Sequence, residues 1–217
     1  FSPRTGYGQT VLYPSLAYTT DGTPTDMAVG DLNGDGTTDI VMSHSNSGGV
    51  RVVLRAGDGS VLLNFTLTQT GSFYYSSVAL SDLNGDGKQD IVASSGSASG
   101  VFINQGAGSF SLGVYYSAGN GFSIEIGDFN NDGKPDMITG DYYSNVVSVL
   151  LNNGDGTFAP RVEYSVGTRP YAVAVGDLND DGNADIVTVN ENGRNVSILF
   201  GNGDGTFQTK VNYSVGN

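Results

Sequence analysis

The stretch that decides the fold is Asp31-Leu-Asn-Gly-Asp-Gly-Thr-Thr-Asp39, because the chain repeats its pattern three more times. The other copies are Asp82-Leu-Asn-Gly-Asp-Gly-Lys-Gln-Asp90, Asp128-Phe-Asn-Asn-Asp-Gly-Lys-Pro-Asp136 and Asp177-Leu-Asn-Asp-Asp-Gly-Asn-Ala-Asp185. We number these loops 1 to 4 and their residues as positions 1 to 9. Oxygen-bearing side chains stand at positions 1, 3, 5 and 9, and glycine stands at position 6. A short loop of this kind wraps calcium, which takes roughly six to eight oxygen ligands.

We therefore predict one calcium ion per loop, about four in all. The side chains of positions 1, 3, 5 and 9 and the main-chain carbonyl of position 7 are the predicted ligands, and Asp180 at position 4 is expected to face solvent. Magnesium usually keeps several waters, and zinc is disfavoured because the chain has no cysteine and a single histidine. The alternative is a set of metal-free turns rich in Asp, Asn and Gly. The predicted metal ligands are Asp31, Asn33, Asp35, Thr37, Asp39, Asp82, Asn84, Asp86, Lys88, Asp90, Asp128, Asn130, Asp132, Lys134, Asp136, Asp177, Asn179, Asp181, Asn183 and Asp185.

The spacing of the loops predicts the architecture. They start 51, 46 and 49 residues apart, and the fourth repeat has strand patterns at 171–176, 186–190, 196–200 and 206–215. Four strands in a period of about 50 residues are typical of a β-propeller blade. We predict an all-β fold, a β-propeller with four complete blades of four antiparallel strands. The predicted segments are 1–23 (outer strand of a preceding blade and a linker), 24–73, 74–121, 122–168 and 169–217 (blades 1 to 4).

Register along the repeat raises the question of ring closure. Phe1-Ser-Pro-Arg4 matches Phe158-Ala-Pro-Arg161, which opens the outer strand of blade 3. We therefore expect five outer strands, but only four sets of the three inner strands that complete a blade. This surplus favours a piece of a larger ring, or half of a ring that a second copy completes as a homodimer. A closed ring of four blades stays open as an alternative, because propellers have roughly four to eight blades.

Composition excludes several classes of protein. No apolar run approaches the length of a membrane span, and the absence of cysteine excludes disulfides and thiol catalysis. The net charge is −13, but 13 of the 22 acidic residues lie in the four loops, so four divalent ions would reduce it to about −5. The nine Lys and Arg are scattered, which argues against nucleic acid as a partner.

Other candidate sites carry weaker signals. His44, the single histidine, is expected to be a plain surface residue in a loop. The pairs Tyr74-Tyr75, Tyr115-Tyr116 and Tyr142-Tyr143 can stack on sugar rings, but tyrosines at strand ends more often pack across strands. An enzymatic site would need an acid–base pair outside the loops. Its candidates are His44, Glu125, Glu163, Glu191, Asp21, Asp26 and Asp141.

Two stretches carry a family resemblance. Val175-Gly-Asp-Leu-Asn-Asp-Asp-Gly-Asn-Ala-Asp-Ile-Val187, followed by Leu199-Phe-Gly-Asn-Gly-Asp-Gly-Thr-Phe207, resembles the FG-GAP/VCBS repeats of integrin α-subunit heads, secreted bacterial proteins and some fungal lectins. The resemblance implies calcium between the first and second strands of each blade, on one rim, and a secreted or cell-surface location. Functions within such a family differ, since fold does not determine function.

We expect a calcium-stabilised extracellular recognition module, for cell adhesion or carbohydrate binding, without catalysis. Its partner is then a glycan or an extracellular protein. The alternative is a scaffold or accessory domain of a secreted polysaccharide-acting enzyme, and a third reading is a structural spacer.

Overall fold

The computed structural model describes residues 22–46, 48–68, 75–96, 98–111, 114–119 and 121–216. Strands and turns make up this part of the chain, and none of the described residues is helical. Four four-stranded antiparallel sheets follow one another, each with its strands side by side in chain order. This confirms the predicted all-β architecture of propeller-type blades, although the sheets do not close into a ring. The match predicted at Phe1–Arg4 lies outside the described residues, and the exact blade boundaries stay a prediction.

The strand bounds are as follows. Blade 1 is β1 (Pro24–Gly30), β2 (Asp39–His44), β3 (Gly49–Arg55) and β4 (Val61–Thr68). Blade 2 is β5 (Tyr75–Ser81), β6 (Asp90–Ser95), β7 (Ser99–Phe102), a short hairpin of β8 (Asn104–Gly106) and β9 (Ser109–Phe110), and the outer strand β10 (Val114–Tyr116). Blade 3 is β11 (Gly121–Gly127), β12 (Asp136–Asp141), β13 (Val146–Leu150) and β14 (Val162–Ser165). Blade 4 is β15 (Pro170–Gly176), β16 (Asp185–Asn190), β17 (Asn195–Leu199) and β18 (Val211–Ser214).

Burial differs systematically across each blade. Every residue of the second strands β6 and β12 is buried, whereas every residue of the outer strand β18 is exposed. The outer strand predicted at 206–215 is shorter than expected, since β18 spans only Val211–Ser214. Phe207 turns inward instead, and its ring packs edge-on against Phe129 at 5.6 Å and Tyr164 at 5.1 Å. Residue 207 keeps only an isolated bridge to Gly201, while its ring is buried among aromatic neighbours.

The hydrophobic core lies between neighbouring blades. Each of its three clusters joins residues of two consecutive blades. The residue at position 2 of an acidic loop belongs to each cluster: Leu32, Leu83 and Phe129 are each about 1% exposed. Leu178, the equivalent residue of blade 4, is 51% exposed, because no described blade packs against it. The face of blade 4 that would receive a further blade is thus open in the described structure.

A β-bulge interrupts the first strand of every blade near its start. The pairing of the first and second strands shifts between Pro24 and Asp26, between Tyr75 and Ser77, between Gly121 and Ile124, and between Pro170 and Ala172. The start of the first strand lies at the rim opposite the acidic loops, because those loops follow its end. Bulges re-aim side chains at sheet rims.

The hairpin between β16 and β17 turns at a left-handed residue that is not glycine. That residue is Arg194, with φ of 48°, although Asn192-Gly193 stands directly before it. The equivalent residue of blade 3 is Asn145, with φ of 60°. Four residues connect these strands, so the two-residue turn that Asn-Gly favours does not form.

The part of the chain that the structure describes contains no helix of the length and apolar character needed to span a membrane.

Candidate metal centres

Each acidic loop joins the first strand of its blade to the second and is held by its own side chains. The carboxylate at position 1 accepts two main-chain hydrogen bonds in every loop. Its Oδ2 accepts from the glycine N–H of position 6 at 2.8 Å. Its Oδ1 accepts from the N–H of position 5 at 3.0–3.2 Å. The loop therefore coils around the first aspartate.

The amide at position 3 converges on the same point. Its Oδ1 accepts from the N–H of position 5 at 2.9–3.1 Å in all four loops. Side-chain oxygens of positions 1 and 3 thus both lie about 3 Å from one nitrogen. The carboxylate at position 5 accepts from the N–H of position 7 at 2.7–3.0 Å. That N–H lowers the pKa of Asp35 and Asp181, since it stabilises the charged form.

Two residues of every loop adopt left-handed backbone. Position 6 is glycine with φ near 80° throughout, as its sequence pattern predicts. Position 4 is also left-handed, at Gly34, Gly85, Asn131 and Asp180. This requirement was not predicted, although the sequence carries its signal: only Gly, Asn and Asp occur at position 4, and these residues tolerate the left-handed conformation best. Asp180 is exposed, as expected.

Position 9 differs from the other acidic positions because it is fully buried. The four carboxylates, at Asp39, Asp90, Asp136 and Asp185, have no exposed surface. One oxygen accepts from the N–H of position 2 at 2.9 Å. The other accepts at 2.7–2.8 Å from the N–H of the residue that follows the third strand or ends it. Burial raises the pKa of Asp90 and Asp136, and these N–H groups partly oppose that shift.

The buried aspartate is therefore a clasp between the acidic loop and the third strand. Position 9 was predicted only as a metal ligand. Its burial could have been predicted, since it opens a strand and two apolar residues follow it in every blade.

The donor chemistry of the loops suits a hard cation. Positions 1, 3 and 5 each supply a side-chain oxygen, and the oxygens of positions 1 and 3 converge in each loop. In loops 2 and 3 a lysine at position 7 also contacts position 5: Lys88 lies 2.7 Å from Asp86, and Lys134 lies 3.1 Å from Asp132. Among the described residues, no three acidic, histidine or cysteine side chains gather closely enough to define a metal site by themselves. The ligand set and the number of ions stay predictions.

Hydrogen bonds also tie loops 1, 2 and 3 to the next blade. The side-chain amide of Asn104 donates to the carbonyl of Leu32 at 2.9 Å, and that of Asn152 donates to the carbonyl of Leu83 at 2.9 Å. At the next junction the N–H of Gly205 donates to the carbonyl of Phe129 at 2.8 Å. The position-2 residue is thus held by its side chain in the inter-blade core and by its carbonyl at the next blade.

The candidates for an enzymatic site lie on separate elements. They are Asp26 on β1, His44 on β2, Glu125 on β11, Asp141 on β12, Glu163 on β14 and Glu191 after β16, whereas Asp21 lies outside the described residues. The surface position expected for His44 is wrong: it is 2% exposed, because it ends a second strand, the most buried strand of its blade. Burial raises the pKa of Glu125, and the charge of Asp26 adds to that shift.

The repeat described above also occurs in known proteins. A family model described as an FG-GAP-like repeat matches residues 31–93, 82–139 and 128–188, a span that includes all four acidic loops. Integrin alpha-3 of Mus musculus is 31% identical over 50% of this chain, and integrin alpha-3 of Cricetulus griseus matches equally well. The chain covers only 12% of the length of these two relatives.

Solved structures show the same fold. A lectin of Agrocybe aegerita, described as recognising non-reducing terminal N-acetylglucosamine, aligns with a TM-score of 0.57 and 24% identity over 85% of this chain and 50% of its own. A functionally unknown protein of Desulfotomaculum acetoxidans aligns with a TM-score of 0.65 and 13% identity over 96% of this chain and 62% of its own. At these identities the likeness is one of fold.

Proposed function

The chain belongs to the FG-GAP-like repeat family, and on this basis we propose that it is a calcium-stabilised extracellular recognition module without a catalytic role of its own. The observation that carries the proposal is the equivalence of the four loops. The same side chains accept the same main-chain hydrogen bonds in every blade, on one rim. Repetition of this kind suits a structural metal in each repeat better than a single reaction centre.

Calcium is the proposed structural ion, about one per loop. The side chains of positions 1, 3 and 5 would hold it, with the carbonyl of position 7 and the carboxylate of position 9. Its charge would offset the mutual repulsion of the carboxylates within one loop, which contributes to the raised pKa of Asp90 and of Asp136. The chain itself holds each loop in shape. The position-1 carboxylate accepts hydrogen bonds from the loop backbone, and the buried position-9 carboxylate attaches the loop to its blade.

Recognition of a glycan or an extracellular protein is the proposed task, in a secreted or cell-surface setting. The names of the relatives support it, since they include integrins and a lectin. The proposed absence of catalysis is supported by the repetition of the loop and by candidates that lie on separate elements, with only Asp26 and Glu125 seen to interact electrostatically among the described ones.

A second copy of the chain is the proposed partner for the open face of blade 4. Leu178 is half exposed there, although the next blade covers the equivalent residue at each of the three described junctions. A blade of the same kind is therefore the surface that fits. Native mass spectrometry tests this: a dimer supports it, and a monomer at concentrations well above those of the binding assays contradicts it.

Two measurements test the main proposal. Thermal melts with calcium and with excess EDTA, alongside metal analysis, should show bound calcium and a melting temperature many degrees lower after chelation. An unchanged melt without bound metal would remove the structural ion. Arrays of glycans and of extracellular matrix proteins test recognition, and two blank arrays would contradict it.

A further inference from the structure

Four aromatic side chains form a cluster at the rim opposite the acidic loops, where blades 3 and 4 meet. Phe122 stacks on Tyr171, with ring centroids 6.0 Å apart and planes 14° from parallel. Tyr142 packs edge-on against Phe122 at 5.1 Å and against Tyr143 at 5.1 Å. Yet Tyr143 is 68% exposed, Tyr171 58% and Phe122 40%. A contiguous exposed apolar patch of this kind marks an interaction site.

The fold itself does not require aromatic residues at these positions. Phe122 and Tyr171 occupy the bulge at the start of the first strand, and blades 1 and 2 have Thr25 and Ser76 there. The hydroxyl of Ser76 donates to the carbonyl of Gly121 in the next blade at 2.7 Å. In the same way, the hydroxyl of Thr25 donates to the carbonyl of Tyr75 in blade 2 at 3.0 Å. The same chain thus closes two equivalent junctions with a hydroxyl and the third with an exposed aromatic stack.

Polar groups border the cluster on one side. The hydroxyl of Tyr142 donates to Oε2 of Glu191 at 2.5 Å. Arg169 donates to the same hydroxyl at 3.3 Å, and its guanidinium carbon lies 5.3 Å from the centroid of the Tyr142 ring. The exposed rings therefore stand beside a carboxylate acceptor and a guanidinium donor, both on exposed turn residues.

The chemistry of this surface selects among ligands. Arg169 already occupies the cation position over Tyr142, which disfavours a quaternary ammonium ligand. The carboxylate of Glu191 and the net charge of −13 disfavour a polyanionic chain. A neutral sugar ring matches both halves of the surface: its C–H face packs on exposed aromatic rings, and its hydroxyls donate to a carboxylate and accept from a guanidinium.

We propose that Phe122, Tyr143 and Tyr171, with Glu191 and Arg169 at their edge, form a binding site for a neutral pyranose. This inference rests on the proposed recognition function and assigns it to one junction and one ligand class. Blades 1 and 2 lack the aromatic pair at their bulges, so one such site is expected in the described part of the chain.

The test uses substitutions that the chain already contains elsewhere. Tyr171→Ser and Phe122→Ser place at blades 4 and 3 the residue that blade 2 has at its bulge, so folding should be preserved, as melting curves will check. Tyr213→Ser is the matched control, because Tyr213 is also half exposed but lies on the outer strand β18. Glucose, galactose, mannose and N-acetylglucosamine are titrated against each protein by calorimetry and by saturation-transfer NMR, alongside the two arrays.

We expect the full chain to bind at least one of these sugars. Tyr171→Ser should bind it at least about tenfold more weakly, because the sugar loses its contact with one aromatic ring. Tyr213→Ser should bind like the parent. Sugar binding that Tyr171→Ser and Phe122→Ser both retain would overturn this site and leave the recognition function standing. Binding of a matrix protein but of no sugar would overturn the pyranose assignment. Two blank arrays would overturn the recognition function itself.

Discussion

Replacement of Asp136 by alanine should destabilise the protein strongly even without calcium. Its carboxylate has no exposed surface and accepts from the N–H of Phe129 at 2.9 Å and from the N–H of Asn152 at 2.8 Å. Alanine leaves both donors buried without an acceptor. Each unsatisfied buried donor costs about 1–3 kcal/mol, so the two together cost about 2–6 kcal/mol.

The lower half of that range is the better expectation. Burial raises the pKa of Asp136, which means that the folded protein holds this charge at some cost, and alanine removes that cost along with the hydrogen bonds. A loss of about 2–4 kcal/mol in the free energy of unfolding follows, or a fall in melting temperature of roughly 4–16 °C for a chain of this length. Asp136→Asn keeps one acceptor oxygen and should fall between the parent and the alanine variant.

The assay is thermal unfolding in excess EDTA, followed by circular dichroism, with amide exchange at Phe129 and Asn152 as the local measure. Asp132→Ala is the matched control, because Asp132 is an exposed carboxylate of the same loop. In EDTA it should cost less than about 1 kcal/mol, since an exposed ion pair contributes little. Equal losses of stability for the two variants in EDTA, or unchanged exchange at Phe129 and Asn152 in Asp136→Ala, would refute a structural role for the buried carboxylate.

Three further predictions concern the blades and the metal. Chelation should lower the melting temperature, and magnesium should restore less of it than calcium at equal concentration; equal restoration would contradict calcium selectivity. Leu83→Ala should cost about 2–5 kcal/mol, whereas Leu178→Ala in the monomer should cost less than about 1 kcal/mol, because only Leu83 is enclosed. A large loss for Leu178→Ala would show that another surface covers it. Arg194→Gly should raise stability by about 0.5–1 kcal/mol by relieving left-handed backbone, with Arg194→Ala showing no gain.

Local pattern was enough to predict the blades and their number, because alternation and turn residues act over a few positions. The acidic loops were predictable for the same reason: every hydrogen bond that coils them spans five residues or fewer. The predictions that were wrong concerned residues whose positions depend on contacts with distant parts of the chain. Phe207 leaves its predicted strand to pack against Phe129, 78 positions earlier, and His44 is buried by its place in the sheet. The aromatic cluster gathers four residues of two blades, and the sequence showed only one adjacent pair of them.

The carboxylates of each loop form a buried layer and an exposed layer, and this division would let one motif serve both as part of the frame and as the proposed metal site. The buried position-9 carboxylate of loop 3 attaches the loop to the blade, since its two N–H partners lie on the loop and just after the third strand, and each oxygen keeps a lone pair for the proposed ion. The outer carboxylates serve the loop and remain accessible to a cation. In loops 2 and 3 the position-7 residues Lys88 and Lys134 place a positive charge against the position-5 carboxylate. The position-7 residues of loops 1 and 4, Thr37 and Asn183, carry no charge. If the loops bind calcium as proposed, we expect the ion to contribute most to stability in loops 1 and 4, where the position-5 carboxylate has an amide donor from Asn33 or Asn179 but no ammonium partner.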